Sequence, residues 1–214
     1  MKILVTGFTP FGGQSINPAF EAVSGLPSSI AGATIEIVQL DTIFGTGALQ
    51  LEEAMHRYEP DIVLCIGQAG GRAAISVEFV AINYRDASIP DNEGNIPLAE
   101  SIHGNGETAY FSNLPVKAMV EHMKNNYIPS YISYSAGTYV CNDVFYHLMY
   151  LIHSEFPKVR GGFIHVPFEL SQAVNMSNAT PSMSIETITK GLELAIEAAI
   201  MNPIDLQVTG GATH

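Results

Sequence analysis

The amino-acid sequence predicts an α/β fold: a single-domain α/β/α sandwich with a mixed, largely parallel sheet. Short apolar runs rich in Val and Ile alternate along the chain with amphipathic stretches of helical period. Such an alternating order is typical of a sheet covered by helices on both faces. The length of 214 residues is suited to one domain of this kind, so we expect residues 1–214 to form a single domain.

The positions of the individual elements follow from the same patterns. Strands are predicted at 2–8, 33–41, 61–67, 77–84, 128–135 and 159–166. Helices are predicted at 18–26, 46–58, 107–124, 142–155 and 184–201, with Asn17 as the N-cap of the first and Pro18 at its first position. The short connection between the third and fourth strands predicts some antiparallel pairing, because a parallel crossover needs a longer one. Residues 203–214 are expected to be a loosely held tail.

Composition and charge exclude several classes of partner. Nine Lys+Arg against 21 Asp+Glu give a formal charge of −12, which repels nucleic acid and anionic membrane surfaces. The first residues lack the basic segment and long apolar run of a secretory signal. Charged residues make up only 14%, below the roughly 25% usual for soluble chains, so we expect other subunits to cover part of the surface. Cys65 lies in an apolar run typical of a buried strand, which fits a reducing cytoplasm better than a disulfide.

The sequence around Cys141 predicts a nucleophilic cysteine at the start of a helix. A turn of small residues containing Gly137 precedes it, and apolar residues at helical spacing follow it. Unpaired N–H groups and the helix dipole favour negative charge there, so we expect the thiol to be shifted towards thiolate and an oxyanion to bind beside it. The alternative is a buried cysteine that fills the core beside Val140.

Cysteine catalysis needs a general base and a group that orients this base. His165 ends an apolar strand and is expected at the same sheet edge as Cys141, although a packed core histidine would show the same pattern. Glu78 lies within an apolar strand, where a buried carboxylate would need a partner such as an imidazolium. The alternative is an edge-strand glutamate that faces water while Val77 and Phe79 face inward. Spacing leaves both alternatives open.

The remaining histidines and loops give weaker signals. His147 and His153 are six residues apart, unlike a helical metal pair, and no H-E-x-x-H motif occurs, so no metal site is expected. Phe8 and Phe11 lie in a Gly/Pro loop after the first strand, where they could wall a pocket for a small flat ligand or pin the loop to the core. The glycines of this loop do not give the G-x-G-x-x-G of a dinucleotide site. The polar loop 86–106 could serve as a lid or an intersubunit arm.

Five segments of the sequence match one known family. They are Gly7-Phe8-x-Pro10-Phe11-Gly12-Gly13, Glu78-x-x-Ala81-x-Asn83, Ile89-Pro90-Asp91-Asn92-x-Gly94, Ser135-Ala136-Gly137-x-x-x-Cys141-Asn142 and Phe163-Ile164-His165-Val166-Pro167. On these segments the chain resembles pyroglutamyl peptidase I, the cysteine peptidases that remove an N-terminal 5-oxoproline. The resemblance implies a catalytic triad of Cys141, His165 and Glu78. The substrate-binding residues that it implies are Phe8, Phe11, Asn17, Gln68 and Tyr139.

The resemblance also implies the reaction and its setting. Expected are hydrolysis of the amide bond after an N-terminal pyroglutamyl residue of a peptide through a thiol acyl-enzyme, no cofactor, a cytoplasmic location and a homotetramer. Phe79 and Ser88 depart from the family, since an arginine is common at both positions and the one at position 88 is thought to act near the active site. Two alternatives stay open: a different small-amide hydrolase that uses the same triad, and a non-catalytic pyroglutamyl or small-amide binding protein.

Overall fold

A seven-stranded sheet organises the fold, in a computed structural model that describes residues 1–174, 176–177 and 179–211. The strands are β1 (Lys2–Phe8), β2 (Ser29–Ile30), β3 (Ala33–Leu40), β4 (Ile62–Gln68), β5 (Ile75–Glu78), β6 (Val80–Ile82), β7 (Ala109–Phe111), β8 (Ser130–Ser133) and β9 (Arg160–Val166). The helices are α1 (Pro18–Ser24), α2 (Thr46–Tyr58), α3 (Val116–Asn125), α4 (Val140–Ser154), α5 (Leu170–Ala173) and α6 (Ile185–Met201).

The sheet is mixed and mostly parallel, as predicted. Its strand order is β2-β3-β1-β4-β9-β5-β8, and the central strands β3, β1, β4 and β9 run parallel. The predicted antiparallel pairing is confirmed, but the partner of β5 is β9, which lies between β4 and β5. Strand β5 is parallel to β8, while β6 and β7 form a separate antiparallel pair.

Both faces of the sheet are covered by helices, which explains the continuous apolar runs of the strands. Along β4, Ile62, Leu64 and Ile66 pack in the core formed with α1, α3 and α6. Val63 and Cys65 point to the opposite face and pack in the core formed with α2 and α4, so Cys65 is buried as predicted. In the part of the chain that the structure describes, no helix has the length and apolar character needed to cross a bilayer.

Two predicted elements are wrong in part. The predicted helix 107–124 begins only at Val116, after Pro115 at its N-cap, and its first part is strand β7, in which Tyr110 and Phe111 pair with β6. Aromatic residues favour strands, and the spacing of apolar residues in this segment is not continuous with that in the helix. The predicted strand 77–84 is divided at Phe79 into β5 and β6. Strand β2 and the short helix α5 were not predicted.

The C-terminal segment contacts the rest of the fold. The Asp205 carboxylate accepts hydrogen bonds from the backbone N–H groups of Lys117 and Ala118 at 3.1 and 2.9 Å, at the start of α3. The Tyr134 hydroxyl donates to the Gly210 carbonyl at 2.8 Å. These contacts hold residues 203–211 at two points although most of these residues are exposed, and the loose tail stays a prediction because residues 212–214 lie outside the described residues.

Candidate active site

A cavity of about 390 Å³ opens where β1, β4 and β9 end. Strand β1 ends at Phe8 and β4 at Gln68, and His165 is the penultimate residue of β9. The cavity is lined by Cys141 and His165 together with all five residues that the resemblance implies for substrate binding: Phe8, Phe11, Asn17, Gln68 and Tyr139. Its volume suits a small ring rather than a long peptide.

Cys141 is the second residue of α4, as the sequence predicted. The N-cap residue Tyr139 provides no side-chain hydrogen bond, so the first N–H groups of the helix have no side-chain cap and are available to an oxyanion. Asn142 fixes this turn to β6: its Nδ2 donates to the carbonyls of Ile82 and Tyr84 at 2.9 and 3.0 Å, and its Oδ1 accepts from the Ile82 N–H at 3.0 Å. The nucleophile is thus carried by a rigid element.

Asp143 holds the same helical turn from its other side. One carboxylate oxygen accepts from Arg85 Nε at 2.6 Å, and the other accepts from the Gly45 N–H at 2.8 Å. The Asp143 side chain is fully buried, and a buried carboxylate is stable only when it is paired and hydrogen-bonded in this way. Sequence reasoning missed Asn142, Asp143 and Arg85 as supports of the site. The available signal was that two polar residues follow the cysteine on an otherwise apolar helix.

The thiol of Cys141 is not ionised by the helix N-terminus alone. Burial, and after it the negative charge of Glu78, raise its pKa to about 12, while the Arg72 guanidinium opposes both. Burial therefore acts against the expected shift of this thiol towards thiolate in the free site.

His165 and Glu78 form a buried pair, and His165 lines the same cavity as Cys141. His165 Nδ1 lies 2.7 Å from Glu78 Oε1, and neither side chain is appreciably exposed. Strands β5 and β9 are neighbours, and the Glu78 side chain points to the face of the sheet that α4 covers, opposite Val77. The alternative of a glutamate facing water is wrong: the side chains alternate as expected, but both faces of this sheet are buried.

The ionisation of the pair defines the tautomer of the histidine. Burial disfavours the Glu78 carboxylate, but the hydrogen bond and charge of His165 and the charge of Arg72 outweigh it, so the pKa of Glu78 lies below its ordinary value. Burial lowers the pKa of His165, and Glu78 only partly restores it. At neutral pH the carboxylate is therefore charged and the imidazole neutral. Its Nδ1–H donates to Glu78, which leaves Nε2 free to accept a proton.

Arg72 is a charged residue of the site that sequence reasoning missed. Its Nη1 lies 2.6 Å from Glu78 Oε1 and also contacts the Ser76 hydroxyl, and its Nη2 donates to the Ser135 carbonyl at 3.1 Å. The guanidinium also lines the cavity. The available signal was an arginine directly after Gly70 and Gly71, just beyond the end of β4.

The positions that depart from the family lie elsewhere. Phe79 packs against Phe111 and Tyr134, with ring centroids at 5.0 and 5.9 Å, and Ser88 is exposed in the loop 86–106. The guanidinium at the cavity therefore comes from Arg72, not from either of these positions.

The two loop phenylalanines have different environments. Phe8 is only 2% exposed and packs against Phe163, so it belongs to the core as well as to the cavity wall. Phe11 is half-buried and packs on Tyr139 with ring centroids at 5.9 Å. The Tyr139 hydroxyl donates to the Pro90 carbonyl at 2.9 Å, which ties loop 86–106 to this wall. Phe8 therefore packs in the core while both phenylalanines line the cavity, and their binding of a flat ligand stays a prediction.

Asn17 caps α1, as predicted. Its Oδ1 accepts from the Ala19 N–H and its Nδ2 donates to the Thr9 carbonyl, each at 3.1 Å. These two bonds hold the loop after β1 in place, so Asn17 supports the cavity through the backbone.

One group of side chains has the spacing of metal ligands. Among the described residues, only Glu52, His56 and Glu155 bring three ligand atoms within 4.8 Å of one another. They lie at or near the surface, at the far end of α4 from Cys141, and His56 Nε2 contacts Glu155 Oε1 at 3.3 Å. This group is separate from the cavity.

Comparison with known proteins agrees with the fold. The sequence model of the family described as Pyroglutamyl peptidase matches residues 1–202. A pyrrolidone-carboxylate peptidase of Enterococcus faecalis is 52% identical over 214 residues, which is 100% of each chain. Pyrrolidone-carboxylate peptidase 1 of Streptococcus pneumoniae is 52% identical over 215 residues, again 100% of each chain.

Solved structures give the same result. The crystal structure of pyroglutamyl peptidase I from Bacillus amyloliquefaciens superimposes with a TM-score of 0.94 at 44% identity, covering 97% of this chain and 99% of that one. A mutant pyrrolidone carboxyl peptidase from Pyrococcus furiosus gives a TM-score of 0.91 at 39% identity, covering 95% and 100%. The match extends over the whole sheet and its helices, and the chain therefore belongs to the pyroglutamyl peptidase family.

Proposed function

We propose that this protein is a cysteine peptidase that removes an N-terminal pyroglutamyl residue from peptides, with Cys141 as nucleophile, His165 as general base and acid, and Glu78 as the group that orients His165. The single observation that carries the proposal is the buried His165–Glu78 pair, 2.7 Å apart, which shares a small cavity with a cysteine at a helix N-terminus. Family membership supports the same reaction.

The reaction begins with two neutral partners. His165 Nε2 takes the Sγ proton as the sulfur attacks the pyroglutamyl carbonyl carbon, because the raised pKa of Cys141 keeps the thiol protonated until then. The carbonyl oxygen becomes an oxyanion, and the N–H groups of the first turn of α4 stabilise it. Glu78 stabilises the imidazolium that forms for this short time.

Collapse of this intermediate releases the peptide. The imidazolium gives its proton to the leaving nitrogen, the C–N bond breaks, and the pyroglutamyl group remains on Sγ as a thioester. Water then attacks the thioester while Nε2 accepts a water proton, and the Cys141 sulfur leaves and regains a proton as free pyroglutamate departs. No step requires a metal or an organic cofactor.

A set of three substrates tests this function. We expect cleavage of a chromogenic pyroglutamyl amide and no measurable turnover of the prolyl and glutaminyl amides. Aromatic walls alone do not separate two five-membered rings, but proline lacks the lactam carbonyl and carries a charged amine that the site would have to desolvate. Prolyl turnover within about tenfold of pyroglutamyl turnover would contradict the proposal and indicate a different small-amide hydrolase. Absence of all turnover would indicate a binding protein.

We also propose that the protein acts in the cytoplasm as a homotetramer, as the family resemblance implies. The two free thiols of Cys65 and Cys141 support a reducing compartment. The exposed apolar side chains of Ile96 and Leu98, at 57% and 78%, support subunit contacts through loop 86–106. Light scattering of the purified protein would measure the assembly, and a monomeric mass at working concentration would contradict it.

A further inference from the structure

Gln172 lies outside the cavity and is hydrogen-bonded to Gln68, a residue of the cavity wall. It is the third residue of the short helix α5 and is 7% exposed. Its Oε1 accepts from the Glu169 backbone N–H at 3.0 Å, and its Nε2 donates to Gln68 Oε1 at 3.0 Å and to Gln14 Oε1 at 3.3 Å. Gln172 does not line the cavity, but Gln68 does.

These contacts determine the orientation of two amide groups in turn. A backbone N–H can only donate, so the end of the Gln172 amide that faces Glu169 must be its oxygen. The NH₂ group of Gln172 therefore faces Gln14 and Gln68, and each of these residues must present an oxygen to it. With its oxygen held in this way, Gln68 has its NH₂ group left over, and this group forms no hydrogen bond with any of the described residues.

We propose that Gln172 is a positioning residue for substrate recognition, because it fixes the Gln68 amide so that Gln68 presents a hydrogen-bond donor to the cavity. A donor is complementary to the lactam carbonyl of a pyroglutamyl ring and has no counterpart on a prolyl ring. This inference rests on the proposed function and adds to it the origin of the preference for the lactam. An amide that could rotate freely would present its oxygen as often as its nitrogen and would discriminate less.

The substitution Gln172→Glu tests the inference with little change of shape. The introduced carboxylate still accepts from the Glu169 N–H, but it offers an acceptor to Gln68, which must then rotate and present its oxygen to the cavity. Gln14→Glu is the matched control, because it places the same charge on the other side of Gln172 and leaves the bond between Gln172 and Gln68 intact.

The readout is the ability of 2-pyrrolidone, the bare lactam, to protect Cys141 from alkylation by iodoacetamide. We expect Gln172→Glu to weaken this protection by about 10- to 100-fold, with Gln14→Glu close to the unmodified protein. The alkylation rate without 2-pyrrolidone should be the same in all three proteins, because the inferred role does not involve the nucleophile. Cyclopentanone keeps the carbonyl and lacks the N–H. Its protection of Cys141 should weaken in Gln172→Glu by a factor similar to that of 2-pyrrolidone.

Coupling to Gln68 provides a second measurement. In a Gln68→Ala background, Gln172→Glu should change 2-pyrrolidone protection by less than about twofold, since the effect acts through Gln68. Three results would each overturn the inference. The first is equal protection by 2-pyrrolidone in Gln172→Glu and Gln14→Glu, and the second is an alkylation rate without 2-pyrrolidone that is slower in Gln172→Glu but not in Gln14→Glu. The third is an effect of Gln172→Glu that is undiminished in the Gln68→Ala background. Failure of the proposed function is a distinct result, namely no turnover of a pyroglutamyl amide by the unmodified protein.

Discussion

Acidity does not distinguish the two cysteines, because burial raises the pKa of both Cys65 and Cys141 to about 12. Their surroundings do distinguish them. Cys65 is fully buried in the core beneath α2 and α4, while Cys141 opens onto the cavity and shares it with His165. We therefore expect reactivity at this site to depend on access and on the neighbouring His165, not on a preformed thiolate.

The first prediction concerns alkylation. Iodoacetamide at neutral pH should modify Cys141 at least ~100-fold faster than Cys65, and activity should be lost in step with modification. The rate at Cys141 should fall strongly in His165→Ala, because the thiol then has no base. Peptide mapping by mass spectrometry gives the rate at each cysteine, with Cys65→Ala as the control that keeps full activity. Similar rates at the two cysteines would contradict the assigned roles.

The second prediction concerns Glu78. Glu78→Gln should lower kcat by about 10- to 100-fold and His165→Ala by at least ~1,000-fold, because an orienting group contributes less than the base that it orients. Glu78 raises the pKa of His165 against the effect of burial, so removing the carboxylate lowers this pKa further. Activity needs neutral His165 and falls as the pH drops through this pKa.

The acid limb of the kcat/KM profile should therefore move to lower pH in Glu78→Gln. A pH series on the two proteins measures the shift, with Glu36→Gln on β3 as a control glutamate outside the cavity. A limb that moves to higher pH would mean that Glu78 does not stabilise the imidazolium.

At the scale of the elements, a strand and a helix approach each other closely at the nucleophile. Gly67 on β4 is the point of contact: a Cβ atom added there would lie 2.8 Å from Cys141 Sγ and 2.8 Å from Phe163 Cζ. Distances under 3.0 Å require one neighbour to move, and because Asn142 ties the first turn of α4 to β6, the side chains of Cys141 and Phe163 would have to shift. A glycine here keeps the sulfur against the end of the sheet.

The third prediction follows from this contact. Gly67→Ala should lower kcat by about 100-fold, since a displacement of the reacting atom by one ångström or less has an effect of this size. Gly104→Ala is the control, because a Cβ atom there meets nothing within 4 Å. Steady-state kinetics and Tm are measured on both variants. Unchanged kcat in Gly67→Ala would show that the sulfur has room to adjust.

The elements that the sequence predicted correctly are those with a single strong pattern. Strand β1 and helix α2 have the predicted bounds, because β1 is a continuous apolar run and α2 has apolar residues at helical spacing. Strand β7 was predicted as helix because its partner β6 is distant in sequence: Ala109 pairs with Ile82, which is 27 residues upstream. The local spacing of apolar residues does not reveal such pairing. The division at Phe79 was missed for the same reason, since both halves are apolar.

The site residues that could be predicted are likewise those with a pattern of their own in the local sequence. Cys141 and His165 could be placed at one sheet edge, because each has its own strand or helix pattern. The orientation of Glu78 could not, because alternation gives the face of a strand and not what covers that face. Arg72 and Gln172 act through partners 6 and 104 residues away, at Glu78 and Gln68, and only the folded chain brings these together.

At the scale of the whole molecule, the doubly covered sheet explains how distant segments form one site. Strands β1, β4 and β9 run parallel and end at the same edge, and β5 adds Glu78 from an antiparallel neighbour. The N-terminus of helix α4 lies at this edge and supplies Cys141. The low dielectric beneath α4 shifts the pKa values of Cys141 and His165 towards their neutral forms, so the fold itself sets the resting state for proton transfer.

Transfer of the pyroglutamyl group to Cys141 can be measured by rapid-quench mass spectrometry of the intact protein. After mixing with a pyroglutamyl amide and quenching in acid, we expect a protein whose mass is raised by one pyroglutamyl group, carried on the peptide that contains Cys141 and absent from Cys141→Ala. Cys65→Ala should give the same adduct as the unmodified protein. Steady turnover by Cys141→Ala, or an adduct on any other residue, would contradict the account.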